Sequence, residues 1–148
     1  MRALVQRVTR ASVSINGGEP KPINHGFVIL LGVGQDDTEA EADKLWRKVS
    51  NLRIFEDSEG KTNLSLQQVG GNILLVSQFT LFANCKRGNR PSFIEAASPE
   101  KGEQLFEYFK SLVEIEYPDF VCGEFGADMD VNILNHGPFT IWLDTEAI

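Results

Sequence analysis

The sequence predicts a single α/β domain, with a mixed and largely antiparallel sheet and two helices packed on one face. Three observations predict it. Only two stretches carry helical periodicity, and the strand-like runs come in groups rather than alternating singly with helices. The 148 residues, 42% of them hydrophobic, suffice for one sizeable core. No repeat, low-complexity tract or composition shift marks a boundary, so residues 1–148 are expected to form one unit. A doubly wound dinucleotide fold would need regular strand–helix alternation, which is absent.

The elements follow in order. "RALVQRVTRASVSI" mixes alternation with β-branched residues and meets Asn16-Gly17-Gly18, a hairpin turn. "HGFVILLGV" then returns antiparallel as a buried strand. In "DDTEAEADKLWRKVSNL", Thr38 and Glu41 make a capping box, and Ala42, Leu45, Trp46, Val49 and Leu52 recur at helical spacing. "RIFED" and "LSLQQV" read as short strands around a "DSEG" turn, and "NILLVSQFTLFA" as the most strand-like segment of the chain. Ser98-Pro99 starts a second helix whose apolar face is Leu105, Phe106, Phe109, Leu112 and Val113. "DFVCGEF", "DMDVNIL" and "FTIWLD" complete the chain as three short strands.

Composition narrows the chemistry. The opening residues carry Arg2, Arg7 and Arg10 and lack the apolar block of a signal peptide, and "FVILLGVG" is too short to cross a bilayer. A cytoplasmic protein with no membrane partner is therefore expected. Cys85 and Cys122 are far apart and fit reduced thiols better than a disulfide framework. A net charge of −7 argues against a broad non-specific nucleic-acid binder. Yet Lys86, Arg87 and Arg90 crowd one short stretch, which allows a local basic patch.

Metal catalysis finds little support: His25 and His136 are the only histidines, and neither has a ligand-like spacing to a cysteine. No metal or cofactor is expected. "GVGQ" lacks the Lys of a phosphate loop and reads as a strand-to-loop exit. Two stretches hold the interest. In "SQFTL", read as strand, Ser77 and Phe79 share one face and Gln78 and Thr80 the other, so an amide and a hydroxyl could line one pocket. Equally, Thr80 is a normal strand residue and Gln78 a half-exposed one. Cys85, beside Lys86 and Arg87, is either an activated thiol or an incidental one. In "NHGPFT", Gly137-Pro138 is either an ordinary turn or an open backbone against which a ligand can lie, with His136 alongside.

Together, "SQFTL" at 77–81 and "NHGPFT" at 135–140 resemble the paired signatures of the D-aminoacyl-tRNA deacylases. The "MRALVQRVTRASV" opening, "GFVILLGVG" and "RGNRPSF" extend the resemblance over the chain. It implies a homodimer with active sites at the subunit interface. Ser77, Gln78, Phe79 and Thr80 would line the pocket, and Gly137 and Pro138, next to Asn135, would enter from the partner with a cis bond. Arg7 would hold that loop, and Lys86, Arg87 and Arg90 would meet the tRNA. His136 stands where the family commonly has an acidic residue, and "FANCKRGNR" departs from its usual residues before the glycine.

The implied reaction is hydrolysis of the ester joining a D-amino acid to the 3′ end of tRNA, glycyl-tRNA mischarged on tRNA-Ala included. An ester needs an oriented attacking group and donors for the developing oxyanion rather than a full triad. Thr80 is then either a nucleophile or a positioning group beside an assisting ribose 2′-OH. Backbone N–H groups near Phe79 and Thr80 are candidate oxyanion donors. A rigid Gly-Pro carbonyl pair would take the α-amino group and exclude an L side chain. Two rival readings are a non-catalytic RNA-binding domain and a small-molecule amidase using Cys85 or Thr80.

Overall fold

The longest pairings run along one strand, β1 (Arg2–Ile15). In the computed structural model, which describes residues 1–148, β1 pairs on one side with β2 (Lys21–Ile23) and β3 (Gly26–Gly32), both antiparallel. On its other side lies β8 (Met129–Asp144), also antiparallel. The sheet continues from β3 through β6 (Asn72–Ser77) to β7 (Val121–Cys122), and these two added pairings are parallel. β4 (Arg53–Glu56) and β5 (Thr62–Ser65) form a separate antiparallel ribbon. The mixed sheet curls towards closure: a Cβ added at Gly123, just after β7, would lie 2.6 Å from Met129 Sδ on β8.

The mixed alternation of the opening strand has a structural cause. Register shifts against β8 fall between Gln6 and Val8 and between Val8 and Arg10. Before them, Ala3 and Val5 face a core shared with both helices; after them, Ala11 and Val13 join Val8 on the opposite face. One extra residue reverses the side to which odd positions point.

Helices α1 (Glu39–Ser50) and α2 (Pro99–Glu116) both pack into the larger core, against Phe27, Ile29, Leu31, Ile73 and Leu75. The expected placement of both on one face is thus found. Thr38 and Glu41 form the capping box, and Ser98 caps α2 with Pro99 in its first turn. The Trp46 ring meets Phe109 edge-on, with centroids 5.7 Å apart, and its Nε1 donates to Glu116 of α2 at 2.8 Å.

Four expectations need correction. β2 was not foreseen: it has three residues with Pro22 at the centre, tolerated on a sheet edge where no N–H is needed. "LSLQQV" is not a strand throughout; β5 ends at Ser65, and Gly71 N closes a turn on Leu66 O. "DMDVNIL" and "FTIWLD" are one strand rather than two, because β1 pairs with both parts and residues 136–139 bulge out opposite Arg7. "NILLVSQFTLFA" stops being a strand at Ser77 and becomes a single 3-10 turn over Phe79–Phe82.

Candidate active site

The change from strand to turn at Ser77 sets the geometry of the site. Gln78 N donates to Leu31 O at 2.7 Å, the last sheet-like bond, and Leu81 N then bonds Gln78 O at 3.2 Å to start the turn. The N–H groups of Phe79 and Thr80 precede that first bond and have no acceptor within the turn. The expected division of faces, Ser77 with Phe79 against Gln78 with Thr80, therefore does not apply. A strand alternates its side chains and a 3-10 turn does not. Gln78 Nε2 instead donates to Thr80 Oγ1 within the same loop.

Two features unnoticed in the sequence allow this turn. A Cβ added at Gly32 would lie 2.9 Å from Gln78 O, and one at Gly34 would lie 2.9 Å from the Phe82 ring. "GVG" is thus a packing surface for the turn and not merely a strand exit. Arg2 holds the far end: Nη1 donates to Leu81 O at 3.1 Å, and its guanidinium lies 4.2 Å from the Phe82 ring centroid. Arg2 is fixed in its own place by Asp144, whose Oδ2 accepts from Nε at 2.8 Å. Burial raises the Asp144 pKa, but the Glu146 N–H and the Arg2 guanidinium outweigh it and hold the carboxyl below its usual range.

Ser77, Gln78 and Phe79 form one wall of a largely apolar pocket of about 400 Å³. Leu31 and Val33 contribute from the end of β3, Phe93, Ala96 and Ala97 from the loop before α2, and Phe106 and Phe125 from the helix side. Phe79 and Phe93 meet edge-on with centroids 5.1 Å apart. The volume falls within the range of small-molecule sites, roughly 300–1,000 Å³. Phe93, Phe106 and Phe125 are site residues the sequence did not single out, since aromatic residues at these spacings look like ordinary core.

Thr80 does not line this pocket; its hydroxyl oxygen accepts from Gln78, which does. Lys86, Arg87 and Arg90 lie exposed on the loop between Asn84 and Ser92, which exchange backbone bonds of 2.8 and 2.9 Å. Phe93 follows directly, so the cationic loop starts at the pocket's rim. Cys85 is exposed; the other thiol, Cys122, is pushed up to about 11 by burial.

The "NHGPFT" stretch lies elsewhere. Arg7, only 3% exposed, donates through Nη1 to Ile54 O at 2.7 Å, through Nε to His136 O at 3.3 Å and through Nη2 to Gly137 O at 3.5 Å. Asn135 Nδ2 donates to Arg7 O and to Phe139 O, both at 3.0 Å, closing the base of the loop. The Gly137-Pro138 bond is cis, and both residues are exposed. His136 is exposed as well, and its backbone carbonyl rather than its ring meets Arg7. Within one chain the two motifs do not meet. Ser77 is level with Leu31 and Ala3, whereas the loop is level with Arg7, four residues along β1 and roughly 13 Å away.

The family described as D-Tyr-tRNA(Tyr) deacylase matches residues 4–144. This chain belongs to that family. A D-aminoacyl-tRNA deacylase of Thermosipho melanesiensis is 52% identical over 149 residues, spanning 100% of this chain and 99% of the relative. One from Escherichia coli O1:K1 is 49% identical over 143 residues, spanning 97% and 99%. Among solved structures, a c-Myc DNA unwinding element binding protein superposes with a TM-score of 0.90 at 42% identity, covering 97% of this chain and 98% of the other. A probable eukaryotic D-amino acid tRNA deacylase, 17% identical, shares the fold with a TM-score of 0.83 over 96% and 97% of the two chains. Family membership makes the chain a hydrolase, since deacylation of an aminoacyl ester is hydrolysis. No helix is long and apolar enough to cross a membrane.

Proposed function

We propose that this protein hydrolyses the ester linking a D-amino acid to the 3′-terminal ribose of tRNA, and does so as a homodimer. The observation that carries the proposal is the turn Phe79–Phe82 at the rim of an aromatic pocket, with unengaged N–H groups and a Gln78-anchored hydroxyl. An apolar pocket edged by Phe79, Phe93 and Phe125 suits the terminal base, because aromatic rings stack with a base face. The ester then lies over the turn. Its carbonyl oxygen becomes negative on attack, and the Phe79 and Thr80 N–H groups can stabilise that charge. The acyl C–O bond breaks, the amino acid leaves as a carboxylate, and the ribose oxygen takes up a proton.

Thr80 positions the substrate rather than attacking it. Gln78 Nε2 donates to Thr80 Oγ1, so the hydroxyl proton is free to be donated onward, and no titratable side chain bonds Thr80 to activate it. The attacking water is then assisted by the neighbouring ribose 2′-OH. Selection between enantiomers falls to Gly137 and Pro138 of a second copy, whose carbonyls accept the α-ammonium and leave no space for an L side chain. Arg7 and Asn135 hold that loop from below. A glycyl ester, with no side chain to exclude, passes the same filter, so glycyl-tRNA mischarged on tRNA-Ala is a second substrate.

Pairing of two copies is supported by the separation of the motifs within one chain and by exposed apolar residues. Phe79 is 57% exposed and Trp142 49%. Lys86, Arg87 and Arg90 meet the phosphates next to the 3′ end. No cofactor takes part in this chemistry, and the reading places the reaction in the cytoplasm, where charged tRNA is found. The test is a deacylation assay with matched D- and L-Tyr-tRNA, for the wild-type and for Thr80→Val. Selective cleavage of the D ester is expected, with the variant slower by roughly ten- to a hundredfold but still active. Equal cleavage of both enantiomers would sink the proposal.

A further inference from the structure

Arg2 has no part in the chemistry proposed above, yet it stands where three strands and the turn meet. On β1 it is paired with Gly32 of β3 on one side and with Asp144 of β8 on the other. Gly32 is the residue whose bare α-carbon admits Gln78 O, so the wall behind the turn, Arg2 and Asp144 lie in one row across the sheet. The guanidinium uses separate nitrogens for its two bonds: Nε donates to Asp144 Oδ2 at 2.8 Å and Nη1 to Leu81 O at 3.1 Å. It lies 4.2 Å from the Phe82 ring centroid and 5.7 Å from that of Trp142. The Arg2 and Asp144 side chains are only 23% and 15% exposed, so this is not a solvated surface pair.

Holding the strands together does not account for this arrangement. β1 and β8 are already paired from Arg2 onwards, and Thr145 N donates to Met1 O at 2.9 Å, one residue beyond Arg2. What lacks support is the end of the 3-10 turn. Its start is bonded to β3 through Gln78 N and Leu31 O, but no backbone N–H reaches Leu81 O, and the Arg2 guanidinium is the donor there. A bond from a charged donor is stronger than one between neutral groups. Gly32 and Gly34 leave room for the turn; Arg2 bonds its end in place. We infer that Arg2 is a positioning residue for the reaction: anchored on Asp144, it fixes the turn through Leu81 O and Phe82, so that the Phe79 and Thr80 N–H groups stand where the oxyanion forms. This rests on the reading of those two groups as oxyanion donors.

The test is Arg2→Met, which keeps an unbranched apolar stem beside Phe82 and Trp142 and removes both bonds. With D-Tyr-tRNA, at a temperature where a thermal melt shows the variant folded, kcat should fall by about tenfold, as for a catalytic group displaced by a fraction of an ångström. KM should change by less than about twofold, because Arg2 does not line the pocket. Arg2→Lys, which keeps the charge but offers one nitrogen in place of two, should recover part of the lost kcat. Asp144→Asn, a milder change that leaves Arg2 in the protein, should lower kcat by a smaller factor. The double variant Arg2→Met/Asp144→Asn should be no slower than Arg2→Met, because Asp144 acts through Arg2. A role in folding alone would lower Tm and leave kcat as it is. A folded Arg2→Met protein with wild-type kcat would therefore overturn the inference, as would a loss confined to KM. The backbone amide NMR resonances of Phe79, Thr80 and Phe82 follow the turn without any turnover, and Arg2→Met should shift them; unshifted resonances would also overturn the inference. If they shift while the wild-type cleaves no D ester, the deacylase proposal fails and the hold of Arg2 on the turn stands.

Discussion

Gly32→Ala tests whether the position of the 3-10 turn governs the reaction. The added methyl would lie 2.9 Å from Gln78 O and 3.2 Å from both Leu81 Cβ and Phe82 Cε2. Two of these three atoms are fixed in the turn by backbone and Cβ geometry, so a rotamer change cannot relieve the clash. To reach ordinary contact the turn must retreat by about half an ångström, the tolerance within which a catalytic group has to be held. Overpacking of this kind costs about 1–3 kcal/mol. For a chain of this length, that lowers Tm by roughly 2–12 °C and leaves the variant folded at 25 °C. A displacement of about 1 Å can cost a hundredfold in rate, so half of it should lower kcat by about tenfold. KM should move less, because Phe93, Phe106 and Phe125 stay in place. Steady-state deacylation of D-Tyr-tRNA with a thermal melt of the same sample measures both. A folded Gly32→Ala protein with wild-type kcat would refute the view that Phe79 and Thr80 must sit where this turn puts them.

Other expectations follow from single residues. Arg7→Met leaves the Ile54, His136 and Gly137 carbonyls without their donor, and the loss at the buried Ile54 site should cost about 2–3 kcal/mol in urea unfolding; a change under about 0.5 kcal/mol would show that water replaces the guanidinium freely. Asp144 and Glu41 are both held below ordinary carboxylate values, so their stabilisation is complete above about pH 5 and is lost as pH falls through the depressed values. Melting temperature should accordingly be insensitive to these two groups near neutrality and begin to drop below about pH 5, and Asp144→Asn should flatten part of that acid limb. Iodoacetamide at mild alkaline pH should label Cys85 in the folded protein and spare Cys122, whose thiol is pushed up to about 11 by burial. Full deacylase activity after labelling would exclude the thiol-enzyme alternative, whereas inactivation matching Cys85 modification would revive it.

The helices were legible because their signals are local. A capping box needs only Thr38 and Glu41, a helix start only Ser98-Pro99, and an apolar stripe only its own spacing. Family membership was legible for a similar reason, since "SQFTL" and "NHGPFT" are short contiguous strings. The division of the sheet was harder to read. Val76, Phe79, Thr80 and Phe82 all favour strands by propensity, and nothing near them in sequence says the strand must end. What ends it is distant: the bare α-carbons of Gly32 and Gly34 and the Arg2 guanidinium on Leu81 O.

The sequence by itself determined the class of fold, the two helices and the family, because periodicity, caps and motif strings are properties of neighbouring residues. Only the tertiary structure decided how "SQFTL" is presented: as the start of a turn beside an aromatic pocket, with Gln78 bonded to Thr80. It also decided that the two motifs lie apart in one chain, with Arg7 joining the second of them to β4. Contacts between residues 2 and 81, 7 and 137, or 32 and 78 arise from strand pairing and curling of the sheet, and no local pattern encodes which partners that pairing will bring together.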